Sequence, residues 1–191
     1  MAPAPSDGPL VLTIGHSTHA LNDFTRMLQG HDVTLVADVR TVPRSRHNPQ
    51  FNRDTLPQAL AAVGIGYVHL ASLGGWRSPR AGSPNQGWRS PGFQGYADYM
   101  LTPEFEPHLQ ALMELARRER VALMCAEAVP WRCHRSLIAD ALLIRGMAVE
   151  HIMSPEKTQP HRLTPFARVD GTRLTYPAPA EDHGGSDSEN L

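Results

Sequence analysis

Two cysteines and a histidine lie close together where a predicted strand gives way to a predicted helix. Cys125 ends the apolar run 121–125, and Cys133 and His134 come directly before a helical pattern. In open α/β sheets, ligands bind beyond the carboxyl ends of the strands, and a helix N-terminus favours an anion or a thiolate. We therefore predict that Cys125 or Cys133 is a nucleophilic or redox thiol, with His134 as its proton carrier or charge partner.

Charged side chains surround these thiols in the sequence. Glu127 could act as an acid or base, and Arg132 and Arg135 could bind an anion or stabilise a thiolate. Cys133 is next to the predicted helix start, so we expect a lowered pKa for its thiol. Cys125, at the end of the strand, is the alternative nucleophile.

A metal site is another use of the same side chains. Cys125, Cys133, His134 and His16 all carry ligand atoms that zinc accepts. The chain has no Cys-x-x-Cys pair, however, and zinc sites normally draw on such close spacings. We therefore favour anion binding over a metal site and predict no cofactor.

Strand and helix patterns alternate along the chain, which is typical of βαβ units. Apolar runs predict strands at 10–14, 33–39, 67–70, 121–125 and 149–153. Helices are predicted between them, beginning near Ser17 or Thr18, at Leu56, at Thr102-Pro103 and at the Cys133-His134-Arg135 cluster, with a long loop at 73–95 and a small hairpin around Asp170-Gly171. The predicted fold is α/β, a single domain with a mostly parallel sheet of about five strands and helices on both faces.

Polar residues also follow the first two strands, which places them at the same predicted edge as the cysteines. After the second strand comes a basic loop that suits a phosphate group or a nucleic-acid backbone, with an aromatic ring for stacking. The candidate ligand-binding residues of these two segments are His16, Ser17, Asp38, Arg40, Arg44, Arg46, Asn48 and Phe51.

The composition argues against several classes of protein. The net charge of −1 is far from that of a strongly basic nucleic-acid-binding chain, and two cysteines are too few for a disulfide framework. No apolar stretch is long enough to cross a membrane, and the first residues lack the features of a signal peptide. We expect a cytoplasmic domain at 10–176, a disordered lead at 1–9 and an acidic disordered tail at 177–191.

Several motifs occur in order along the chain and together resemble the family called domain of unknown function 488. The resemblance covers roughly residues 10–176 and implies a compact, bacterial-type α/β domain, without an established activity. The motifs are Thr13-Ile-Gly15-His16-Ser17, Asp38-Val39-Arg40, Pro43-Arg44-Ser45-Arg46, Asn48-Pro49-Gln50-Phe51-Asn52, Leu73-Gly74-Gly75, Gly95-Tyr96-Ala97-Asp98-Tyr99-Met100, Met124-Cys125-Ala126-Glu127 and Pro130-Trp131-Arg132-Cys133-His134-Arg135.

A more remote likeness is to rhodanese-type sulfurtransferases and the related cysteine-dependent phosphatases. In those proteins a strand ending in Asp-Val-Arg precedes a later strand that ends in a cysteine, as at Asp38 to Arg40 and at Cys125 here. An arginine and a serine then begin the next helix, as Arg135 and Ser136 do in this sequence. The loop after Cys125 departs from that pattern because it has no glycine and carries Pro130, which cannot donate a backbone hydrogen bond.

These observations predict an enzyme that binds an anionic ligand, phosphate-bearing or a nucleotide, and uses the Cys/His/Arg/Glu cluster. One alternative is a non-catalytic module that binds nucleic acid or a nucleotide, and another is a metal-dependent hydrolase. No membrane partner is expected. The sequence does not fix the substrate, the reactive cysteine or the oligomeric state.

Overall fold

The computed structural model describes residues 8–180, which form a six-stranded sheet with five α-helices and a separate hairpin. The strands of the sheet are β1 (Leu10–Gly15), β2 (Leu35–Asp38), β3 (Gly66–His69), β4 (Val121–Cys125), β5 (Ala148–Ser154) and β6 (Lys157–Pro160). The helices are α1 (Leu21–Gln29), α2 (Leu56–Ala61), α3 (Pro91–Met100), α4 (Phe105–Arg118) and α5 (Arg135–Leu143).

The sheet has the order β3-β2-β4-β1-β5-β6, and its first five strands are parallel. The register pairs Gly15 with Cys125, and Asp38 with Met124. The ends of β1, β2 and β4 are therefore level with one another. This confirms the predicted mostly parallel sheet, and the predicted five strands are all present.

The core lies in two layers, one on each face of the sheet. Val11 and Leu123 pack in a cluster with side chains of α3, α4 and α5. Their neighbours Leu12 and Met124 point to the other face and pack with α1 and α2. Successive side chains of a strand alternate between faces, so the continuous apolar runs read in the sequence are those of strands covered on both sides. Helices on both faces are confirmed.

Two helix starts differ from the prediction. The residue that precedes α1 is Ala20, without a side-chain cap, because the chain turns earlier, at Ser17 with φ of 45°. Helix α4 begins at Phe105, and the Thr102 hydroxyl instead donates to the carbonyl of Tyr99 at the end of α3. The Thr-Pro pair therefore closes one helix rather than capping the next.

The predicted loop at 73–95 is shorter than expected, because α3 begins at Pro91. Proline at the first helical position fits a helix start, which its position among serines and glycines obscured in the sequence. Strand β6, which runs antiparallel to β5, was also missed. It is short and exposed and ends in proline, and none of these properties predicts a strand.

A two-stranded hairpin follows the sheet, with β7 (Arg168–Asp170) and β8 (Arg173–Thr175) joined through Gly171 at φ of 59°. The predicted hairpin around Asp170-Gly171 is confirmed. Most of the predicted lead and tail, 1–7 and 181–191, lies outside the described residues. Between residues 8 and 180, every helix is too short or too polar to span a bilayer.

Candidate active site

The carboxyl ends of β1, β2 and β4 border a cavity of about 600 Å³. It opens at the edge of the sheet where the sequence placed the polar residues. Eight of the candidate residues line it: His16, Ser17, Arg40, Arg44, Asn48, Cys125, Glu127 and His134. The structure thus brings the loop after β1, the basic loop and the end of β4 to one site.

Cys125 and His134 lie beside each other in the wall of this cavity. Cys125 is half-buried at the end of β4, and its Sγ lies 3.9 Å from Nδ1 of His134. Cys133 does not line the cavity, but its Sγ lies 3.7 Å from the same nitrogen. The two sulfur atoms and the ring nitrogen all lie within 4.8 Å of one another.

The hydrogen bonds of His134 fix which of its ring nitrogens carries the proton. Nε2 lies 3.0 Å from the carbonyl oxygen of Val39 and 3.1 Å from that of Leu73. Carbonyl oxygens can only accept, so Nε2 must be protonated. In the neutral ring Nδ1 therefore has a free lone pair directed at the thiols, and it can take a proton from either of them.

The two thiols differ in pKa. The hydrogen bond from Cys133 lowers the pKa of Cys125 well below the ordinary value of a thiol. Burial acts in the opposite direction, but the contact with His134 and the charge of Arg135 lower the pKa further. The hydrogen bond to Cys125 and burial raise the pKa of Cys133. The expectation of a lowered pKa at Cys133 is therefore wrong, because this buried thiol acts as the donor to its neighbour. Of the two thiols, Cys125 is therefore the one with the lowered pKa.

The loop that follows Cys125 is held in place by a close backbone approach and a buried arginine. A Cβ on Gly15 would lie 1.9 Å from the carbonyl oxygen of Glu127, so no other residue fits there. The side chain of Arg135 is 1% exposed and donates to the carbonyls of Glu127 and Ala128. Arg135 thus stabilises the conformation of the loop and is too buried to bind a ligand.

Three successive residues of this loop, Ala126, Glu127 and Ala128, line the cavity. No backbone carbonyl within residues 8–180 accepts a hydrogen bond from their N–H groups. Pro130 comes later, in a single 3-10 turn, so it takes no donor from this stretch. The three N–H groups therefore have no backbone acceptor among the described residues.

A buried ion pair supports the floor of the cavity. The Arg40 guanidinium donates to Asp38 from Nε at 2.9 Å and from Nη2 at 2.6 Å, and a third contact at 3.2 Å reaches Nε2 of His16. The Nδ1–H of His16 donates to the carbonyl of Ser17, and burial lowers the pKa of the ring, which favours its neutral form. Arg40 is thus neutralised by Asp38 and holds His16 in position.

Several candidate residues occupy other places. Phe51 is completely buried and stacks on His16 at 4.4 Å between ring centroids, so it offers no free face to a nucleobase. Arg46 and Arg132 are exposed but lie outside the cavity. Arg44, in contrast, lines the cavity and is exposed, so it provides a positive charge at the rim of the cavity. Among the ion pairs formed within residues 8–180, Arg44 takes part in none.

Gly75 and Trp76 also line the cavity, although neither was among the predicted site residues. A Cβ on Gly75 would lie 2.5 Å from Nδ1 of His134, so the glycine leaves room for that nitrogen. Trp76 is 78% exposed, and its backbone N–H is held by the Thr41 hydroxyl. The signal was present in the sequence, since Leu73-Gly74-Gly75 follows the third strand at the same sheet edge.

A second cavity, of about 340 Å³, includes His151 and His161 in its wall. The ring nitrogens of both are engaged in a chain of hydrogen bonds that runs from Thr13 through the two histidines to Asp140. This agrees with the ordinary use of a buried histidine as a satisfied core group. Cys125 and His134 line the larger cavity instead.

The side chains that could hold a metal ion are Cys125, Cys133 and His134. Within residues 8–180 they are the single group of three or more potential ligands so placed. Two thiols and an imidazole are ligand types that suit zinc. The sequence analysis named these three side chains as possible zinc ligands together with His16, which does not belong to the group.

Comparisons with known proteins place the chain in a family. No curated protein and no solved structure matches it, so the likeness to rhodanese-type proteins depends on the sequence motifs alone. A family profile described as a domain of unknown function, DUF488, matches residues 20–142. This range contains β2, α3, Cys125 and the Cys133-His134 pair. The chain belongs to the DUF488 family.

Proposed function

We propose that this protein is an enzyme that binds an anionic, phosphate-bearing small molecule, such as a nucleotide, in the larger cavity and uses the Cys125 thiolate as its nucleophile. The observation that carries the proposal is the position of Nδ1 of His134 beside Cys125, inside a cavity with an unpaired arginine at its rim. Nucleophilic thiols in enzymes are activated by such a neighbouring base.

Two features favour an anionic ligand. The N–H groups of Ala126, Glu127 and Ala128 lack backbone acceptors and lie next to Cys125. Arg44, with its flexible exposed side chain, adds the positive charge that binds phosphate oxygens. A phosphate group held by these donors would have its electrophilic centre, or one attached to it, near the Cys125 sulfur.

The reaction then divides into two steps. The thiolate of Cys125 forms a bond to the electrophilic atom, and the leaving group departs with a proton supplied by His134 or Glu127. A water molecule next attacks the intermediate, its proton returns to the same base, and the thiolate leaves. The Glu127 carboxylate, held by the N–H of Val129 at 3.1 Å, lies at the cavity where such a proton transfer is needed.

The first prediction concerns the alkylation of Cys125 by iodoacetamide, with each cysteine resolved by mass spectrometry. Because the folded-state pKa of Cys125 is lowered, its thiolate persists below about pH 8, where an ordinary thiol is mostly protonated. We expect its alkylation rate to stay nearly constant between about pH 8 and 6, while that of denatured protein falls more than about tenfold. Cys133, buried and with a raised pKa, should react slowly throughout.

Phosphate or a nucleotide should slow the alkylation of Cys125, since the anion would cover the sulfur. A Cys125 rate that follows the ordinary thiol titration would contradict the thiolate, and a rate unaffected by every anion tested would contradict the ligand class. The lowered pKa also stabilises the folded protein above the unfolded-state pKa. That contribution is lost as the pH falls through the folded-state value.

The second prediction tests whether Arg44, which lines the cavity, contributes more to anion binding than Arg46 in the same loop. Arg44→Gln should weaken phosphate protection of Cys125 by about tenfold, which corresponds to one charge-assisted hydrogen bond. Arg46→Gln is the matched control, because Arg46 is exposed in the same loop and lies outside the cavity. Equal effects of the two substitutions would indicate general electrostatic attraction instead of a binding site.

A metal-dependent hydrolase is the second candidate function, favoured by the three ligand atoms within 4.8 Å of one another. Cys125, Cys133 and His134 would hold the zinc ion, which would supply Lewis-acid activation of a water molecule. Metal analysis of freshly purified protein distinguishes the two candidates. Equimolar zinc that is required for turnover would favour the hydrolase, and metal-free protein with a reactive Cys125 would favour the thiolate enzyme.

A further inference from the structure

We propose that Cys125 and Cys133 are the two halves of a reversible intrachain disulfide, in which Cys125 is oxidised and Cys133 resolves the oxidised form. The inference rests on the proposed function, since it takes Cys125 as the reactive thiol. It adds a modification site at the same residues and assigns a role to Cys133, which the reaction above does not use.

The positions of the two sulfur atoms support this pairing. They lie within 4.8 Å of each other, although both cysteines are free in this structure. A disulfide requires a separation of about 2.05 Å, so the sulfur atoms must move together by a distance that side-chain rotation and a shift of the joining loop can supply. That loop, between β4 and α5, contains one short 3-10 turn and several exposed residues, among them Ala126 and Trp131.

The two thiols differ in access to solvent, which assigns their roles. Cys125 lines the open cavity, where a small oxidant can enter. Cys133 is 4% exposed and lies behind it. An oxidant therefore meets Cys125 first, and Cys133 is protected until the oxidised sulfur is beside it. Sensor cysteines that are accessible and have a second thiol close by follow this pattern.

The chemistry balances with a hydroperoxide as the oxidant. The Cys125 thiolate attacks the outer peroxide oxygen, the O–O bond breaks, and the alkoxide or hydroxide takes a proton from solvent, which leaves Cys125 as a sulfenic acid. The Cys133 sulfur then attacks the Cys125 sulfur. The S–S bond forms, the S–O bond breaks, and hydroxide leaves as water after protonation.

His134 is placed to carry the proton in the second step. Its Nδ1 lies 3.7 Å from the Cys133 sulfur and 3.9 Å from the Cys125 sulfur. The nitrogen can take the thiol proton of Cys133 and deliver it to the hydroxide that leaves Cys125. Nε2 keeps its proton throughout, because the carbonyls of Val39 and Leu73 hold it.

The test treats the full-length, reduced protein with a small molar excess of hydrogen peroxide and follows the intact mass. We expect the wild-type protein to lose two hydrogen atoms, to become unreactive to iodoacetamide at both cysteines, and to regain both thiols with dithiothreitol. Peptide mapping should show the Cys125–Cys133 link. A link between two chains, or a Cys133 thiol that stays free while Cys125 gains oxygen, would overturn the inference.

Two variants of the buried cysteine make the result independent of any folding defect. Cys133→Ser and Cys133→Ala should each accumulate a sulfenic acid at Cys125, trapped by dimedone, and then proceed to the sulfinic acid that dithiothreitol cannot reverse. Circular dichroism shows whether each variant is folded. If wild-type protein reaches the sulfinic acid as fast as a folded variant does, Cys133 does not resolve the oxidised form.

The outcome also distinguishes this inference from the proposed function. Anion-protected alkylation of Cys125 without disulfide formation would overturn only the disulfide. A disulfide in protein whose Cys125 shows ordinary titration and no anion protection would overturn only the proposed enzyme site. Equimolar zinc that blocks oxidation of both thiols until a chelator removes it would overturn the inference, because the two sulfur atoms would then be ligands.

Discussion

Gly15→Ala is expected to destabilise the protein by about 3 kcal/mol or more and to abolish anion protection of Cys125. The added Cβ would lie 1.9 Å from the carbonyl oxygen of Glu127 and 2.8 Å from the Cα of Ala128. Both are backbone atoms, so no side-chain rotation relieves the clash. The loop after Cys125 must move, and with it the N–H groups proposed to bind the anion. Urea denaturation measures the first effect and alkylation with phosphate the second.

Gly92→Ala provides the matched control for this substitution. Gly92 also lines the cavity, but a Cβ there would meet nothing closer than the Ser90 hydroxyl at 3.7 Å. Because Gly92 lies in the first turn of α3, alanine should leave stability unchanged or raise it by up to about 1 kcal/mol. Equal losses at Gly15 and Gly92 would show that the close approach to Glu127 is not the cause.

Asp38→Asn is expected to cost about 3 to 5 kcal/mol of folding free energy, since it leaves the buried Arg40 guanidinium without its counter-charge. Asp38 is completely buried and accepts hydrogen bonds from Arg40 and from the Tyr67 hydroxyl at 2.6 Å. Asparagine would turn a donor towards one of these groups. Denaturant midpoints of the two proteins, measured at the same pH, give the difference.

Two further substitutions show whether the cost comes from the buried charge. Glu114→Gln removes an exposed ion pair with Arg117 and should change stability by less than about 1 kcal/mol. The double variant Asp38→Asn with Arg40→Met removes both buried charges and should recover part of the loss. If the double variant is less stable than Asp38→Asn, the other hydrogen bonds of Arg40 contribute more to stability than its ion pair with Asp38 does.

The sheet could be predicted because each of its parallel strands is marked by a short apolar run in the sequence. Parallel strands covered on both faces must be apolar throughout, and the runs 10–14 and 121–125 have this property. Their carboxyl ends could then be aligned without a structure. This alignment is why His16, Arg40 and Cys125 were predicted to share one edge of the sheet, as they do.

The roles of individual side chains depended on long-range contacts that no local pattern reveals. Arg135 and Phe51 have types suited to ligand binding, but Arg135 supports the loop and Phe51 packs under His16. The direction of the pKa shift at Cys133 likewise depends on burial and on the nearby Cys125 sulfur. From the sequence, the only visible influence on the pKa of Cys133 was the dipole of the helix that begins beside it, which would lower that pKa. The start of α3 was obscured by the glycines and serines around Pro91.

The position of β1 in the sheet also has a consequence for synthesis of the chain. β1 leaves the ribosome before its partners β4 and β5, with which it pairs through Leu12 and Ala122 and through Val11 and Val149. Pairing over such long sequence separations predicts slow folding that cannot finish while β4 and β5 are still inside the exit tunnel. Until then the apolar β1 is unpaired on both edges, so we expect a nascent chain halted before β4 to need a chaperone.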